Sequence, residues 1–195
     1  MGIPRIDPGP MTIPDFYAFT DSRPDEERWE LIEGELIMNA SASRLHQIII
    51  ANLVFLLKGA LRDNVAWEVL PGLGLKLDEQ NRPEPDVIVR PKGAPYGDAT
   101  GRDCDDALII FEILSPSTAN RDLRWKRKAY AALPSVSAYV VIAQDAVEAV
   151  IYERRTGFSE HRLETPGAAV ELSELGITLP LAEIYRDTGL DRTDK

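Results

Sequence analysis

The residues whose types and positions could perform chemistry are two carboxylates and a lysine. Glu112 interrupts the otherwise apolar run ALIIFEIL, which is typical of a central strand buried on both faces. An unpaired carboxylate in such a strand would cost several kcal/mol, because burial removes its hydration. Glu112 therefore indicates an exposed strand end, a pairing with an arginine, or a functional site.

Asp86 and Lys126 occupy similarly unusual positions. Asp86 opens the predicted strand PEPDVIV, where an aspartate is also a common turn residue. At about 100° per residue, Lys126 falls in the middle of the apolar, inward face of a helix predicted over 119–133. A lysine there needs a nearby anion, which the two strand carboxylates would provide. The alternative is a lysine whose stem lies along the apolar surface and whose amine pairs with Asp122.

Together the three residues fit the hydrolysis of a phosphodiester. Two carboxylates on neighbouring strands can hold a divalent ion, which orients and acidifies a water for attack on phosphorus. The lysine can position that water or stabilise charge that builds up on the phosphate. One Cys and two His argue against a structural zinc site, so a carboxylate site predicts Mg²⁺ or Mn²⁺.

The elements that must position these residues form one α/β domain. A hairpin is predicted to turn at Glu33-Gly34, and the acidic stretch 98–106 is expected to be a mobile surface loop. Residues 1–11 are predicted to be a flexible tail and 12–190 a single domain. Helices are predicted over 12–19, 43–62, 119–133 and 181–186, and further strands near 65–70, 73–78, 85–90, 107–114, 137–143, 146–154 and 158–164. The 43–62 and 119–133 helices would cover the central strands of a mixed sheet.

Three motifs resemble those of one known family. PEPDVIV, FEILSPST and the D-x-x-x-K-x-x-x-Y of Asp122, Lys126 and Tyr130 are similar to the Uma2 family of endonuclease-like proteins, also called DUF820. That family belongs to the PD-(D/E)xK nuclease superfamily, and the resemblance extends from about Met11 to Tyr185. It implies a restriction-endonuclease-like core, in which a mixed central β-sheet is flanked by helices.

The resemblance assigns roles to particular residues. Asp86 matches the Asp of the PD motif and Glu112 the acid of the (D/E)xK motif, and both would be metal ligands. Leu114 stands where the superfamily has its lysine, whereas Lys126 matches the lysine that the Uma2 pattern places on the following helix. Glu30 matches the glutamate of the family's hairpin, where it would complete the metal site.

Three supporting residues accompany this core. His46 lies on the apolar face of the long helix, where a hydrogen-bonded core histidine is the usual finding. The alternative is a contact near the metal or the substrate, since family members carry a His there. Asp122 and Tyr130, which complete the family's helix motif, are the other two supporting candidates.

Basic residues beside the lysine provide a candidate surface for DNA. Arg121, Arg124, Arg127 and Lys128 could contact phosphates close to the site, although a solvated helix face explains them equally well. The net charge of −10 argues against tight, non-specific nucleic-acid binding, which comes mainly from neutralised phosphates.

The leading functional prediction is a Mg²⁺-dependent endodeoxyribonuclease. Its main rival is a catalytically silent PD-(D/E)xK domain that binds nucleic acid or a protein partner, and a third reading is a phosphoesterase acting on nucleotides or RNA. Ile48 and Phe55 lie away from the main apolar stripe of their helix, and could pack under another element or form a homodimer patch. No apolar run is long enough to span a membrane and no signal peptide is evident, so a cytoplasmic location is expected.

Overall fold

The computed structural model describes residues 10–24, 26–94, 101–114 and 121–190, without the side chains of Arg121 and Asp122. The helices are α1 (Ile13–Thr20), α2 (Arg44–Ala60), α3 (Arg121–Ala132) and α4 (Leu181–Ile184). The strands are β1 (Arg28–Ile32), β2 (Glu35–Asn39), β3 (Trp67–Pro71), β4 (Gly74–Leu75), β5 (Val87–Pro91), β6 (Asp103–Cys104), β7 (Ile109–Leu114), β8 (Ala138–Ala143), β9 (Ala149–Glu153), β10 (Glu160–Leu163), β11 (Ala169–Leu172) and β12 (Ile177–Pro180).

A mixed sheet forms the centre of the molecule. Within the described ranges it has six strands in the order β10-β9-β8-β7-β5-β3. Strands β7 and β8 run parallel, with α3 between them in the chain, whereas every other neighbouring pair is antiparallel. Because β5 and β7 are antiparallel, the start of β5 and the end of β7 lie at the same end of the sheet.

The two faces of this sheet pack against different helices. Val87 and Phe111 belong to the cluster that contains the inward side chains of α2, such as Leu53. Ile88 and Ile110 point to the opposite face, because side chains alternate along a strand, and pack in the cluster that contains residues of α3. Two residues after Ile110, Glu112 therefore faces α3.

A hairpin of β1 and β2 stands beside the central sheet. Its turn has positive φ at Glu33 and Gly34, 53° and 76°, as a two-residue hairpin of this twist requires. Backbone hydrogen bonds in both directions join Leu31 to Arg82, with N···O distances of 3.1 and 2.7 Å. The hairpin is thus attached to the segment that leads into β5. The hairpin turn also contacts the residues before α1, because Met11 N donates to Gly34 O at 3.0 Å.

Two local expectations were wrong. The strand expected over 73–78 is reduced to β4, which pairs in parallel with β6. The acidic stretch 98–106 was expected to be a mobile surface loop. Its residues 98–100 lie outside the described residues, and in the remainder Asp103 is only 1% exposed, because Arg82 Nε donates to Asp103 Oδ1 at 2.7 Å. The β11–β12 hairpin was not anticipated from the sequence. No helix in the described part of the chain is both long and apolar enough to cross a membrane.

Candidate active site

A cleft of about 890 Å³ opens at the end of the sheet where β5 begins and β7 ends. Asp86, Glu112 and Lys126 all line it. Its other walls come from α1, from the β1–β2 hairpin and from the first turns of α2. Helix α1, the β1–β2 hairpin and α2 therefore converge on the residues that the sequence singles out.

Asp86 is held rigidly at the start of β5. The register pairs Val87 with Phe111, so Asp86 lies beside the end of β7. Asp86 Oδ2 accepts the backbone N–H of Ile113 at 2.7 Å, and Asp86 Oδ1 lies 3.0 Å from His46 Nε2. The carboxylate is therefore oriented by a strand backbone on one side and a helix side chain on the other.

His46 is placed by the beginning of α2. Ser43 caps this helix, because its Oγ accepts the backbone N–H of His46 at 3.1 Å. The same hydroxyl donates to Gln144 Oε1 at 2.9 Å, which ties the start of α2 to the residue after β8. His46 is thus a partner of Asp86 rather than a histidine satisfied only within the apolar core.

Glu112, Lys126, Glu30 and Tyr130 form a buried hydrogen-bonded cluster. Lys126 Nζ donates to Glu112 Oε1 at 3.0 Å and to Glu30 Oε1 at 3.1 Å. Tyr130 Oη donates to Glu112 Oε1 at 3.0 Å, and the backbone N–H of Glu84 donates to Glu30 Oε1 at 2.7 Å. The side chains of Lys126, Glu30 and Glu112 are only 5%, 2% and 6% exposed.

The negative charge of this cluster exceeds what one lysine compensates. Burial raises the pKa of Glu112 to about 8, with the charges of Asp86 and Glu30 adding to the rise and that of Lys126 opposing it. Burial also raises the pKa of Tyr130, so its hydroxyl remains a donor. Glu112 therefore tends to retain a proton near neutral pH, unless a further cation enters the cleft.

The outward residues of α3 lie elsewhere. Arg124, Arg127 and Lys128 are exposed and are not among the described residues that line the cleft. The guanidinium of Arg127 lies 4.9 Å from the ring centroid of Tyr152. The side chains of Arg121 and Asp122 lie outside the described residues, and a phosphate-binding role for this face stays a prediction.

Sequence reasoning missed several cleft residues. Glu84 lies two residues before Asp86, and burial raises its pKa while Arg82 opposes the rise. Trp29 and Arg102 also line the cleft. Glu84 could have been found from its place in PEPD. Nothing in the residues around Arg102 indicates that this glycine-rich and acidic stretch lies against the cleft.

The fold is that of a restriction-endonuclease-like domain. The chain belongs to the Uma2 family, because the family model described as "Putative restriction endonuclease" matches residues 13–182. The family and the fold class predicted from the sequence are thereby confirmed, and membership supports a nuclease.

A solved structure with the same fold is among those that match. It is described as a putative nuclease belonging to DUF820 from Anabaena variabilis ATCC 29413, and it matches with a TM-score of 0.73 and 17% identity. The match covers 90% of this chain and 98% of that chain. The comparison with curated proteins finds no match.

Proposed function

We propose that this protein is a Mg²⁺- or Mn²⁺-dependent endonuclease that hydrolyses phosphodiester bonds of DNA. The observation that carries the proposal is the juxtaposition of Asp86, Glu112 and Lys126 in one cleft, with Glu112 at a raised pKa. A carboxylate of raised pKa beside a buried lysine in a cleft is typical of a functional site, whereas a purely structural ion pair does not need to open into a cleft.

The residues present fit a hard divalent cation. Asp86 and Glu112 offer oxygen ligands only, and their mutual repulsion would be relieved by a positive ion between them. No group of three or more His, Cys, Asp or Glu side chains within the described ranges is preassembled for a metal. Two carboxylates suit Mg²⁺, which usually retains waters and takes further oxygens from a substrate phosphate. The bound ion would supply Lewis acidity and an activated water.

The chain's own residues have distinct tasks in this proposal. Ile113 N–H and His46 hold Asp86 in one orientation, so that its position is fixed before substrate arrives. Lys126 carries the positive charge that would stabilise the attacked phosphate, and Glu30 and Glu112 aim its amine. Tyr130 restrains Glu112 through its hydroxyl.

The second candidate is a catalytically silent domain that binds nucleic acid or a protein partner. Leu114 replaces the lysine of the superfamily pattern, and Lys126 is already engaged by two carboxylates. A closed ion cluster of this kind could be a remnant of an active site. We also propose a homodimer formed through α2, on which Phe55 is 74% exposed.

The test combines metal binding with cleavage. Mg²⁺ and Mn²⁺ are titrated by calorimetry into the wild type, Asp86→Asn/Glu112→Gln and the matched surface control Glu171→Gln. Each protein is then incubated with plasmid, single-stranded DNA and RNA. Metal binding and metal-dependent DNA cleavage should be lost only in the double variant. A folded wild type that binds no metal and cuts nothing would favour the silent domain.

A further inference from the structure

Part of the cleft is built from rings and guanidinium groups rather than from carboxylates. Tyr17 belongs to α1, Arg28 and Trp29 belong to β1, and Arg102 precedes β6. We call these four residues the aromatic–arginine wall. We propose that it binds the bases and phosphates of a single DNA strand, so that the site acts on unpaired rather than fully paired DNA. This inference rests on the proposed function.

Trp29 offers ring surface to a ligand. Its Nε1–H already donates to Glu27 Oε2 at 2.9 Å, so its one polar group has a partner. The ring of Phe19 lies 5.1 Å away at 88°, and the two rings hold each other edge to face. The indole is half-buried, and the surface that it shows to the cleft suits stacking rather than hydrogen bonding.

Trp29 lines the same cleft as the catalytic cluster. It precedes Glu30, whose carboxylate contacts Lys126 at 3.1 Å, but adjacent side chains of a strand point to opposite faces, so the indole lies on the other face of β1. A DNA strand whose phosphate reaches Lys126 would therefore continue along the hairpin before one of its bases stacks on Trp29. This path requires an extended strand, which a single strand can adopt. In a continuous duplex this base is covered by its neighbours, whereas in a single strand it is available to an aromatic side chain.

Tyr17 and Arg102 extend the wall. The Arg102 guanidinium carbon lies 3.8 Å from the Tyr17 ring centroid, and Arg102 Nη1 donates to Asp21 Oδ1 at 2.6 Å. The Tyr17 hydroxyl donates to Asp103. A guanidinium held over a ring can stack on a base and meet a phosphate at the same time. The side chain of Arg102 remains 38% exposed.

Charge and size both disfavour a duplex in this cleft. Of the described residues that line it, five are carboxylates and four are Lys or Arg, and the chain carries a net charge of −10. Duplex affinity depends on neutralising many phosphates, whereas a single strand also gains affinity from bases that stack on aromatic rings. A volume of about 890 Å³ is that of a small-ligand site, so it can take a short length of one strand.

The experiment measures binding at Trp29 directly. A Trp67→Phe/Trp125→Phe protein retains Trp29 as its only tryptophan. Its fluorescence is followed while a short DNA strand, the matched duplex and the RNA of the same sequence are added, with Mg²⁺ and with a chelator. We expect the DNA strand to quench Trp29 and to bind at least about tenfold more tightly than the duplex.

Two variants test the wall by anisotropy of a labelled strand. Trp29→Ala should weaken strand binding about tenfold, whereas Trp29→Phe should retain most of it, because a phenyl ring still stacks. Arg102→Ala removes a half-buried side chain that packs on Tyr17 and pairs with Asp21, so it should weaken binding and lower Tm only slightly. Trp67→Phe is the matched control for Trp29→Phe outside the cleft. If Trp29→Ala lowers Tm, its weaker strand binding can result from partial unfolding. The test of the wall then rests on strand binding by Arg102→Ala and on the quenching of Trp29.

Each outcome is decisive. Equal or tighter binding of the duplex, or a strand that leaves Trp29 unquenched, would overturn the inference. RNA that binds more tightly than the DNA strand would overturn the assignment to DNA. Since these are binding measurements, a chain that stacks a strand on Trp29 and cuts nothing keeps this inference and loses the proposed function. A chain that cuts duplex DNA with no role for Trp29 keeps the proposed function and loses this inference.

Discussion

The two ends of β5 each carry a buried ionic cluster, and the clusters differ in kind. At the end of the strand, Arg90 is fully buried and donates to Asp106 through Nε at 2.7 Å and through Nη2 at 3.0 Å. Its Nη1 donates to Glu68 Oε1 at 3.0 Å. At the start of the strand, Lys126 is shared between Glu30 and Glu112 beside a further carboxylate, Asp86.

The difference lies in how completely each charge is satisfied. Arg90 presents a planar fork of donors that matches a carboxylate, and its hydrogen bonds to Asp106 raise its pKa and keep it charged. The lysine is a point charge among several acids, and the pKa of Glu112 rises to about 8. A satisfied cluster belongs to the fold, whereas an unsatisfied one that opens into a cleft has charge left for a ligand.

The largest expected effect is on activity at the start of β5. Asp86→Asn keeps the hydrogen-bond geometry but removes a charge that a divalent ion needs. Metal-dependent cleavage should fall by roughly a thousandfold or more, with Tm nearly unchanged. Single-turnover cleavage and thermal unfolding measure the two quantities. Cleavage that survives this change would show that the cluster is not the active site.

At the other end of the strand the expected effect is on stability. Arg90→Ala leaves Asp106 and Glu68 without their partner, and should lower the free energy of unfolding by roughly 2–3 kcal/mol. Denaturant unfolding measures this loss. The control is Arg62→Ala, because Arg62 makes only an exposed ion pair with Asp63 and should change nothing measurable. If Arg90→Ala unfolds with the same free energy as the wild type, the Arg90 cluster cannot be distinguished from the Lys126 cluster by its contribution to stability.

The pH dependence of stability separates the clusters further. The folded-state pKa of Glu112, about 8, lies above its ordinary value of 4.5, so the folded protein binds the proton more tightly than the unfolded one. The associated stability is fully present below pH 4.5 and is lost as the pH rises towards 8. Without metal, the free energy of unfolding should therefore fall across this window.

Glu112→Gln should flatten that fall, because the amide cannot ionise. Denaturant unfolding of both proteins in chelator, at several pH values across the window, gives the comparison. Arg90→Ala should leave the slope unchanged, since its partners lie at the other end of the strand. An unchanged slope in Glu112→Gln would mean that another group is responsible for it.

Local sequence patterns were sufficient to predict the central residues of the candidate site but not the residues around them. Glu112 is visible as a break in an apolar strand, and Lys126 as a cation on the inward side of a helix, so periodicity alone brings the two together. Glu30 was reached only by resemblance to a family. Its partner Lys126 is 96 positions away in the chain, and no local spacing encodes such a contact.

The cluster around Arg90, at the end of β5, was not predicted from the sequence at all. Arg90 ends the apolar run VIVR as unexpectedly as Glu112 interrupts its own strand, yet the sequence gives no reason to examine it. Asp103 was assigned to a mobile loop because its neighbours are glycine and aspartate. Its burial depends on Arg82, which lies 21 positions earlier, and on the Tyr17 hydroxyl. The composition of a segment does not show which distant charged residue will pair with it.

The smallest expected effect concerns the hydroxyl that restrains Glu112. Tyr130→Phe removes the donor 3.0 Å from Glu112 Oε1 but keeps the ring, which packs edge to face on Tyr139 with centroids 5.0 Å apart. Glu112 retains Lys126, so the loss of stability should be about 1 kcal/mol. Cleavage should fall several-fold, since the carboxylate keeps its charge but loses one restraint. Unfolding and single-turnover measurements on one preparation would separate the two. A full loss of cleavage with unchanged stability would instead place the Tyr130 hydroxyl in the reaction itself.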